Sequence, residues 1–222
     1  MPAGSEPDPT PITDGVFFTV PDPLPRGRHR LPRSEVLARQ RDRLLIAATE
    51  LLAHGGPGAV GVKPVCSRAG ASLAAFYECF ETKEDCIFAA YDRFIAVFIE
   101  RLVAVHGEGR TWEEYVGAVL DSYFEVLEQD LVVARAFQVE MDSLGPEARR
   151  RRREALHGLG QLLHQKHREW VGTQGEVLPE AAYIAALYGV RQLASDALDT
   201  PTPDLPGTRD SVAVWVSRAF AT

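Results

Sequence analysis

The chain has 222 residues, of which 45% are hydrophobic and 25% charged, as is ordinary for a globular protein of one or two domains. No run of about 18 apolar residues occurs, and the first residues lack the basic start and apolar core of a secretory signal. We therefore expect a cytoplasmic protein without a membrane partner. Cys66, Cys79 and Cys86 form no CxxC pair, so the pattern indicates buried thiols rather than a zinc site.

Positive charge is concentrated near the N-terminus. Residues 26–83 contain ten Lys or Arg and five Asp or Glu, a balance of +5, which leaves −12 for the remainder because the total is −7. A basic N-terminal third on an acidic body indicates a nucleic-acid-facing end and a body with another role.

Residues 1–33 are predicted to form a mostly disordered tail that ends in a basic arm, because they are rich in Pro, Asp and Gly without any period. The arm carries Arg26, Arg28, Arg30 and Arg33. Two interpretations stay open for these charges. They either belong to a solvated linker or follow a DNA phosphate backbone into a minor groove.

Residues 34–83 are predicted to form a helix-turn-helix head. The first helix begins at Ser34 and stops at the sequence HGGPG, where glycine and proline cannot continue it. A short second helix covers residues 61–69, and Gly70 makes a tight turn. A third helix is capped by Ser72, and a fourth begins at Lys83.

This spacing resembles the N-terminal domain of TetR-family transcriptional regulators, with features of an actinobacterial-type branch, over residues 39–91. The matching residues are Val62, Val65, Arg68-Ala69-Gly70, Ser72, Phe76-Tyr77, Phe80 and Lys83-Glu84. The resemblance implies an all-α fold, in which the three-helix head precedes a helical ligand-binding and dimerisation domain at residues 84–222. It also implies that Tyr77 and Lys83 contact DNA phosphates and that Ser72 caps the recognition helix.

The recognition helix departs from the family pattern. Leu73, Ala74 and Ala75 stand where polar readers are frequent, and Gly61 replaces a Ser or Thr cap. Alanine and leucine make no bidentate hydrogen bonds to bases, so we expect readout through thymine methyls, DNA shape and flanking charges. The expected DNA-contacting residues are Arg26, Arg28, Arg30, Arg33, Arg39, Arg43, Lys63, Arg68, Ser72, Leu73, Ala74, Ala75, Tyr77 and Lys83.

Five further helical patterns follow the fourth helix. Their aromatic residues are candidates for a ligand cavity, although each one taken alone fits ordinary core packing. The candidates are Phe94, Phe98, Trp112, Tyr115, Tyr123, Phe137, Met141, Trp170, Tyr183 and Tyr188. By resemblance, the last two helices form a homodimer interface through Ala182, Ala186, Leu187, Val190, Leu193, Ala194, Val212, Trp215, Val216 and Phe220.

Two polar patterns in the body have open interpretations. Arg149 to Arg153 are predicted to form a solvated face paired with carboxylates, with a second DNA contact as the alternative. His157, His164 and His167 share one helical face, and we favour solvent-exposed side chains without a ligand over a metal site.

The function predicted from these features is a dimeric regulator of transcription, most often a repressor in this family. It binds double-stranded operator DNA and is released or retuned by a small apolar or aromatic effector. The alternative is a degenerate relative that binds a small molecule or a protein without reading DNA. No nucleophile elbow, phosphate-binding glycine loop or paired acidic motif is present, so neither an enzyme nor a cofactor is predicted.

Overall fold

The computed structural model describes residues 8–22, 31–172 and 176–220, and these parts of the chain contain helices and connecting loops but no strand. The predicted all-α class is confirmed. The helices are α1 (Arg33–Ala59), α2 (Val62–Ala69), α3 (Leu73–Cys79), α4 (Lys83–Val103), α5 (Trp112–Gln129), α6 (Leu131–Gln138), α7 (Pro146–Val171), α8 (Glu180–Leu198) and α9 (Leu205–Ala219), with a 3₁₀ turn at Glu140–Leu144 between α6 and α7.

The head consists of α1, α2 and α3 packed against one another. Helical geometry in α1 is interrupted at Gly55 and Gly56, as the HGGPG sequence predicts, and Gly56 has a positive φ of 64° that favours glycine. Gly70 ends α2 in the left-handed region at φ 59° and turns the chain into α3. The helix-turn-helix is therefore present as the sequence predicted.

Helix α4 belongs to both halves of the molecule. It starts with a capping box, in which Thr82 Oγ accepts the Asp85 N–H at 3.1 Å and the Asp85 carboxylate accepts the Thr82 N–H at 3.0 Å. It packs on α1 of the head and on α5, α6 and α7 of the body. A change in the body that moves α4 therefore moves a helix on which the head is packed.

The body is a bundle of α5 to α9 closed around α4. Helix α5 starts with a second capping box, formed by Thr111 and Glu114. Helix α7 has Pro146 in its first turn, where a backbone N–H would have no partner within the helix, so the missing N–H of proline costs no hydrogen bond. Helix α8 lies against α6, α7 and α9, and α9 returns to α5. No helix in the described ranges is long and apolar enough to cross a membrane.

Residues 8–22 pack onto the folded chain, in contrast to the disordered tail expected from their composition. Phe17 and Phe18 are each 1% exposed, and Ile12 is 6% exposed. The Phe17 ring stacks on Phe94 with centroids 5.2 Å apart and lies 5.8 Å from that of Phe98. Three apolar side chains thus give a polar, proline-rich segment enough buried surface to dock on α4. Residues 1–7 and the arm residues 23–30 lie outside the described ranges.

The same segment is tied to the head through one buried carboxylate. Glu50 of α1 is 5% exposed and accepts hydrogen bonds from Arg68 Nε of α2 at 2.6 Å and from the Ile12 N–H at 2.6 Å. Arg68 also donates from Nη2 to the Pro9 carbonyl at 2.9 Å. Residues 9–18 therefore touch α1, α2 and α4 at once.

Replacing Phe17 with alanine is expected to lower the free energy of unfolding by about 3 kcal/mol, because the ring leaves a cavity against two phenylalanines. Urea unfolding followed by circular dichroism measures the change. Val20→Ala, in the same segment but 43% exposed, is the control and should change stability by less than about 0.5 kcal/mol. Equal stabilities of the two variants would show that the segment is not packed in solution.

Candidate DNA interface and ligand cavity

The exposed residues of α3 are Leu73, Ala74, Tyr77 and Glu78. Ser72 is the N-cap, and its Oγ accepts the Ala75 N–H at 3.1 Å. Leu73 is 45% exposed and Tyr77 60% exposed, and Ala74 lies on the same open surface. Ala75 is only 7% exposed because it faces the head's core. The expectation that Ala75 contacts DNA is therefore corrected, whereas Ser72, Leu73, Ala74 and Tyr77 are placed where such contacts are possible.

Several of the predicted DNA-contacting cations bond within the head. Arg68 is held by Glu50, so its role in the structure is internal. Arg39 pairs with Glu35 at 2.8 Å and Arg33 with Glu78 at 3.4 Å, both near the surface.

The other predicted DNA-contacting cations differ in how exposed they are to solvent and to DNA. Lys63 is exposed on α2, with no ion pair to a described residue. Lys83 Nζ donates to the Val60 carbonyl at 2.9 Å, and Arg43 lies half-buried beside Gly70. Arg26, Arg28 and Arg30 fall outside the described residues.

A cavity in the body is lined by residues of α4 to α9. Six of the ten aromatic or methionine candidates line it: Phe94, Phe98, Trp112, Tyr123, Phe137 and Tyr183. The other four do not line it. Tyr115 and Trp170 pack against Trp112, Met141 is buried in the core, and Tyr188 lies beside His157.

Sequence reasoning missed the cavity's polar lining. Gln138, Arg152 and Arg191 face it among aliphatic residues of α4, α5, α7 and α8. Arg152 belongs to the arginine run that was expected to be a solvated face, and the other arginines of that run with described partners do pair with carboxylates at the surface. The sequence did contain one indication of a polar cavity lining, namely Arg191, a single arginine in the mostly apolar α8.

A buried imidazole, that of His167, lies behind the cavity wall at Trp112 and Tyr183. The His167 ring stacks on Trp112 with centroids 4.0 Å apart, and its Nδ1 is 2.5 Å from Tyr183 Oη. Burial, reinforced by the nearby His164, lowers the pKa of His167 and favours its neutral form. Within the described ranges, no three His, Cys, Asp or Glu side chains are grouped as metal ligands.

Half of the predicted dimer-interface residues are already buried inside one chain. Val190, Ala194, Val212, Val216 and Phe220 are each at most 7% exposed, and Ala186 and Leu187 lie against or line the cavity interior. The five buried residues pack inside the bundle of one chain, whereas Ala186 and Leu187 remain partly exposed, and the dimer interface stays a prediction. Ala182 is partly exposed, and the large apolar side chains left on the surface of α8 and α9 are Leu193, Val214 and Trp215.

The family model of the "Bacterial regulatory proteins, tetR family" matches residues 44–90, which run from the core of α1 to the first turns of α4. Residues 44–90 therefore match the N-terminal domain of the TetR family. This confirms the resemblance inferred from the Gly70, Ser72 and Phe76-Tyr77 pattern.

Two curated relatives are each 28% identical to this chain over the aligned residues. One is the fatty acid metabolism regulator protein of Bacillus subtilis (strain 168), aligned over 120 residues, which are 54% of this chain and 62% of the relative. The other is the HTH-type transcriptional activator FasR of Mycolicibacterium smegmatis, aligned over 105 residues, or 47% and 46%. The alignments therefore span about half to three-fifths of these relatives' lengths.

The fold as a whole is similar to that of a solved regulator. The crystal structure of the transcriptional regulator FadR from Bacillus subtilis in complex with stearoyl-CoA superposes with a TM-score of 0.68 at 22% identity, over 80% of this chain and 98% of that one. The similarity shows a shared arrangement of head and helical body.

Replacing His167 with glutamine is expected to weaken the loss of stability on acidification. The unfolded chain, with an ordinary histidine pKa of 6.5, binds a proton at higher pH than the folded chain does. The contribution of the neutral ring is thus present above about pH 6.5 and is lost as the pH falls through that value towards the lower folded pKa. Urea unfolding at about pH 7.5 and 5.5 measures this difference.

His157→Gln is the matched control on the same helix, since His157 is exposed. It should retain the wild-type dependence on pH. If the two variants and the wild type lose the same free energy of unfolding between the two pH values, the buried imidazole is not the group responsible.

Proposed function

We propose that the protein is a homodimeric, DNA-binding transcriptional regulator whose helical body binds a ligand with a long acyl chain and thereby retunes the affinity of the head for operator DNA. The observation that carries this proposal is the course of α4. Its first turns pack in the head around Cys86 and Ile87, and its middle lines the cavity with Phe94 and Phe98.

The shape and lining of the cavity support an extended apolar ligand. Tyr91 and Leu102 line it eleven positions apart on α4, which corresponds to about 16 Å along the helix axis. Most of its other lining residues are aliphatic or aromatic. Two comparisons support an acyl chain rather than another apolar ligand. The solved FadR, which has a similar fold, was crystallised with stearoyl-CoA, and one of the two curated relatives is named for fatty acid metabolism.

Contacts to the ligand have a direct route to the head. Phe94 and Phe98 line the cavity on one side and stack on Phe17 on the other. The segment containing Phe17 bonds to Glu50 and Arg68 in the head. A ligand that prefers one position of these rings would shift the head between two settings, whereas a ligand without such a preference would shift nothing.

DNA readout would rely on the exposed methyl groups of Leu73 and Ala74, with Ser72, Tyr77 and Lys63 at the phosphates. Methyl groups discriminate bases mainly by contact with the thymine methyl in the major groove. We therefore propose an operator with thymines at the centre of each half-site. Two such half-sites require a dimer, for which Leu193, Val214 and Trp215 provide the exposed apolar surface.

Selection of bound DNA from a random duplex pool tests the DNA part of the proposal, followed by titration of the selected duplex at several salt concentrations. A palindromic, thymine-containing site is expected. Lys63→Met should weaken binding to all sequences and reduce the salt slope by about one unit per lost phosphate contact.

Lys166→Met, a lysine of the body over the Tyr115 ring, is the control and should leave the salt slope unchanged. A pool that never converges, with affinity that only collapses as salt rises, would favour the alternative of a protein that no longer reads sequence.

A chain-length series tests the effector part. Saturated acyl ligands should change operator affinity more strongly as the chain lengthens, because each buried CH₂ contributes about 0.8 kcal/mol. Val119→Trp fills the cavity and should abolish this response, while Val103→Trp, at a position 56% exposed on α4, should retain it. A ligand that binds at saturation without changing operator affinity would contradict the switch.

A further inference from the structure

One end of the cavity is polar, and several of its polar atoms are unused. Gln138 is 5% exposed, and its Oε1 has no hydrogen-bond partner among the described residues. The buried Arg152 Nε is also unpartnered within the described part of the chain, and the buried Tyr123 hydroxyl lies beside the Gln138 side chain without a hydrogen bond of good geometry. All three side chains line the cavity. Buried polar atoms without partners are rare in folded proteins and indicate a missing partner.

The backbone around this polar end is held firmly, which leaves the side chains available. The Gln138 carbonyl accepts hydrogen bonds from Arg191 Nη2 at 2.9 Å and from Ser195 Oγ at 2.8 Å. Asp142 lies 3.6 Å from Arg191 and also bonds Arg152. The α6 end is therefore fixed by α8, while the Arg152 Nε–H remains free to donate to a ligand.

The charges at this end do not balance. Two guanidinium groups, Arg152 and Arg191, share one carboxylate, Asp142, which leaves one positive charge in excess. The next carboxylate, Asp92, is bonded at 2.9 Å to Arg151. Burial raises the pKa of Tyr91 to about 12 and also raises that of Tyr123, so both phenols stay neutral and can donate. A cation next to an apolar cavity is stabilised by an anion there.

The surface groove outside this end has the opposite balance. It runs between α4 and α7 and shares Tyr91, Ile95 and Ala155 with the cavity. Its two arginines, Arg150 and Arg151, bond three carboxylates, those of Glu147, Glu154 and Asp92. A head group that extends into the groove therefore meets no excess of positive charge, and a phosphate-rich one is not favoured there.

We propose that the cavity binds its ligand as a free long-chain carboxylate, with the carboxylate at Arg152 and Tyr123 and the alkyl chain directed towards Trp112. The inference rests on the proposed function, in which this cavity takes an acyl chain, and adds the identity of the head group. It distinguishes the free acid from a coenzyme A thioester, whose phosphates would lie in or beyond the groove, where carboxylates outnumber arginines.

Isothermal titration of the full chain with palmitate, hexadecanol and palmitoyl-CoA, each below its micellar concentration, tests this inference. The three probes share a sixteen-carbon chain and differ at the head. Palmitate is expected to bind about tenfold to a hundredfold more tightly than hexadecanol, because hydrogen bonds to a charged group are stronger than those to a neutral hydroxyl. It is also expected to bind more tightly than palmitoyl-CoA.

Variants then assign the preference to residues. Arg152→Met should remove most of the advantage of palmitate and change hexadecanol binding by less than about twofold. Arg153→Met, the neighbouring exposed position, is the matched control and should bind all three probes as the wild type does. Tyr123→Phe removes a single hydroxyl and preserves the packing. It should reduce the affinity for palmitate but not for hexadecanol, and it replaces Arg152→Met as the test if that variant does not fold.

The outcomes distinguish an error in the head-group assignment from an error in the proposed acyl cavity. Binding of palmitoyl-CoA more tightly than palmitate, or equal binding of palmitate and hexadecanol, would overturn the carboxylate site and leave the acyl-binding regulator intact. Failure of all three probes to bind would overturn the acyl cavity itself, and this inference with it.

Discussion

The rest of the structure depends on how the buried carboxylate of Glu50 is satisfied. A carboxylate out of contact with water is stable only when its charge and its lone pairs have partners. The partners come from α2 and from the segment before α1, so one side chain fixes the recognition unit and the N-terminal segment relative to α1. The Phe17 ring of that segment then lies against the helix that lines the cavity. Head, segment and cavity wall are thus parts of one packed unit.

Local signals made the helices predictable. The capping residues Ser72, Thr82 and Thr111, and the glycines at the ends of α1 and α2, act within one turn of the chain, so the sequence alone contains the whole interaction. The burial of residues 8–22 was not predictable in this way. Its composition is that of a flexible tail, and its stability comes from Phe94, Phe98 and Glu50, which lie 38 to 81 positions further along the chain.

The candidate site was predictable in part for the same reason. Aromatic residues at helical spacing mark the inside of a bundle, and six of the ten candidates line the cavity. Spacing does not tell which inward residues face a cavity and which fill the core, so Met141 was selected as readily as Phe137. The polar lining was missed because Arg152 has the same sequence context as four solvated arginines. Only the packing of α7 on α8 turns its side chain inward.

If the body binds a ligand as proposed, the docking of residues 8–22 makes the coupling between cavity and head depend on where the chain starts. A shorter chain that begins after residue 22, through a later translation start or a proteolytic cut, would keep every helix of the fold. It would lack the Pro9 carbonyl and the Ile12 N–H, which share the Glu50–Arg68 pair, and the Phe17 ring behind the cavity wall.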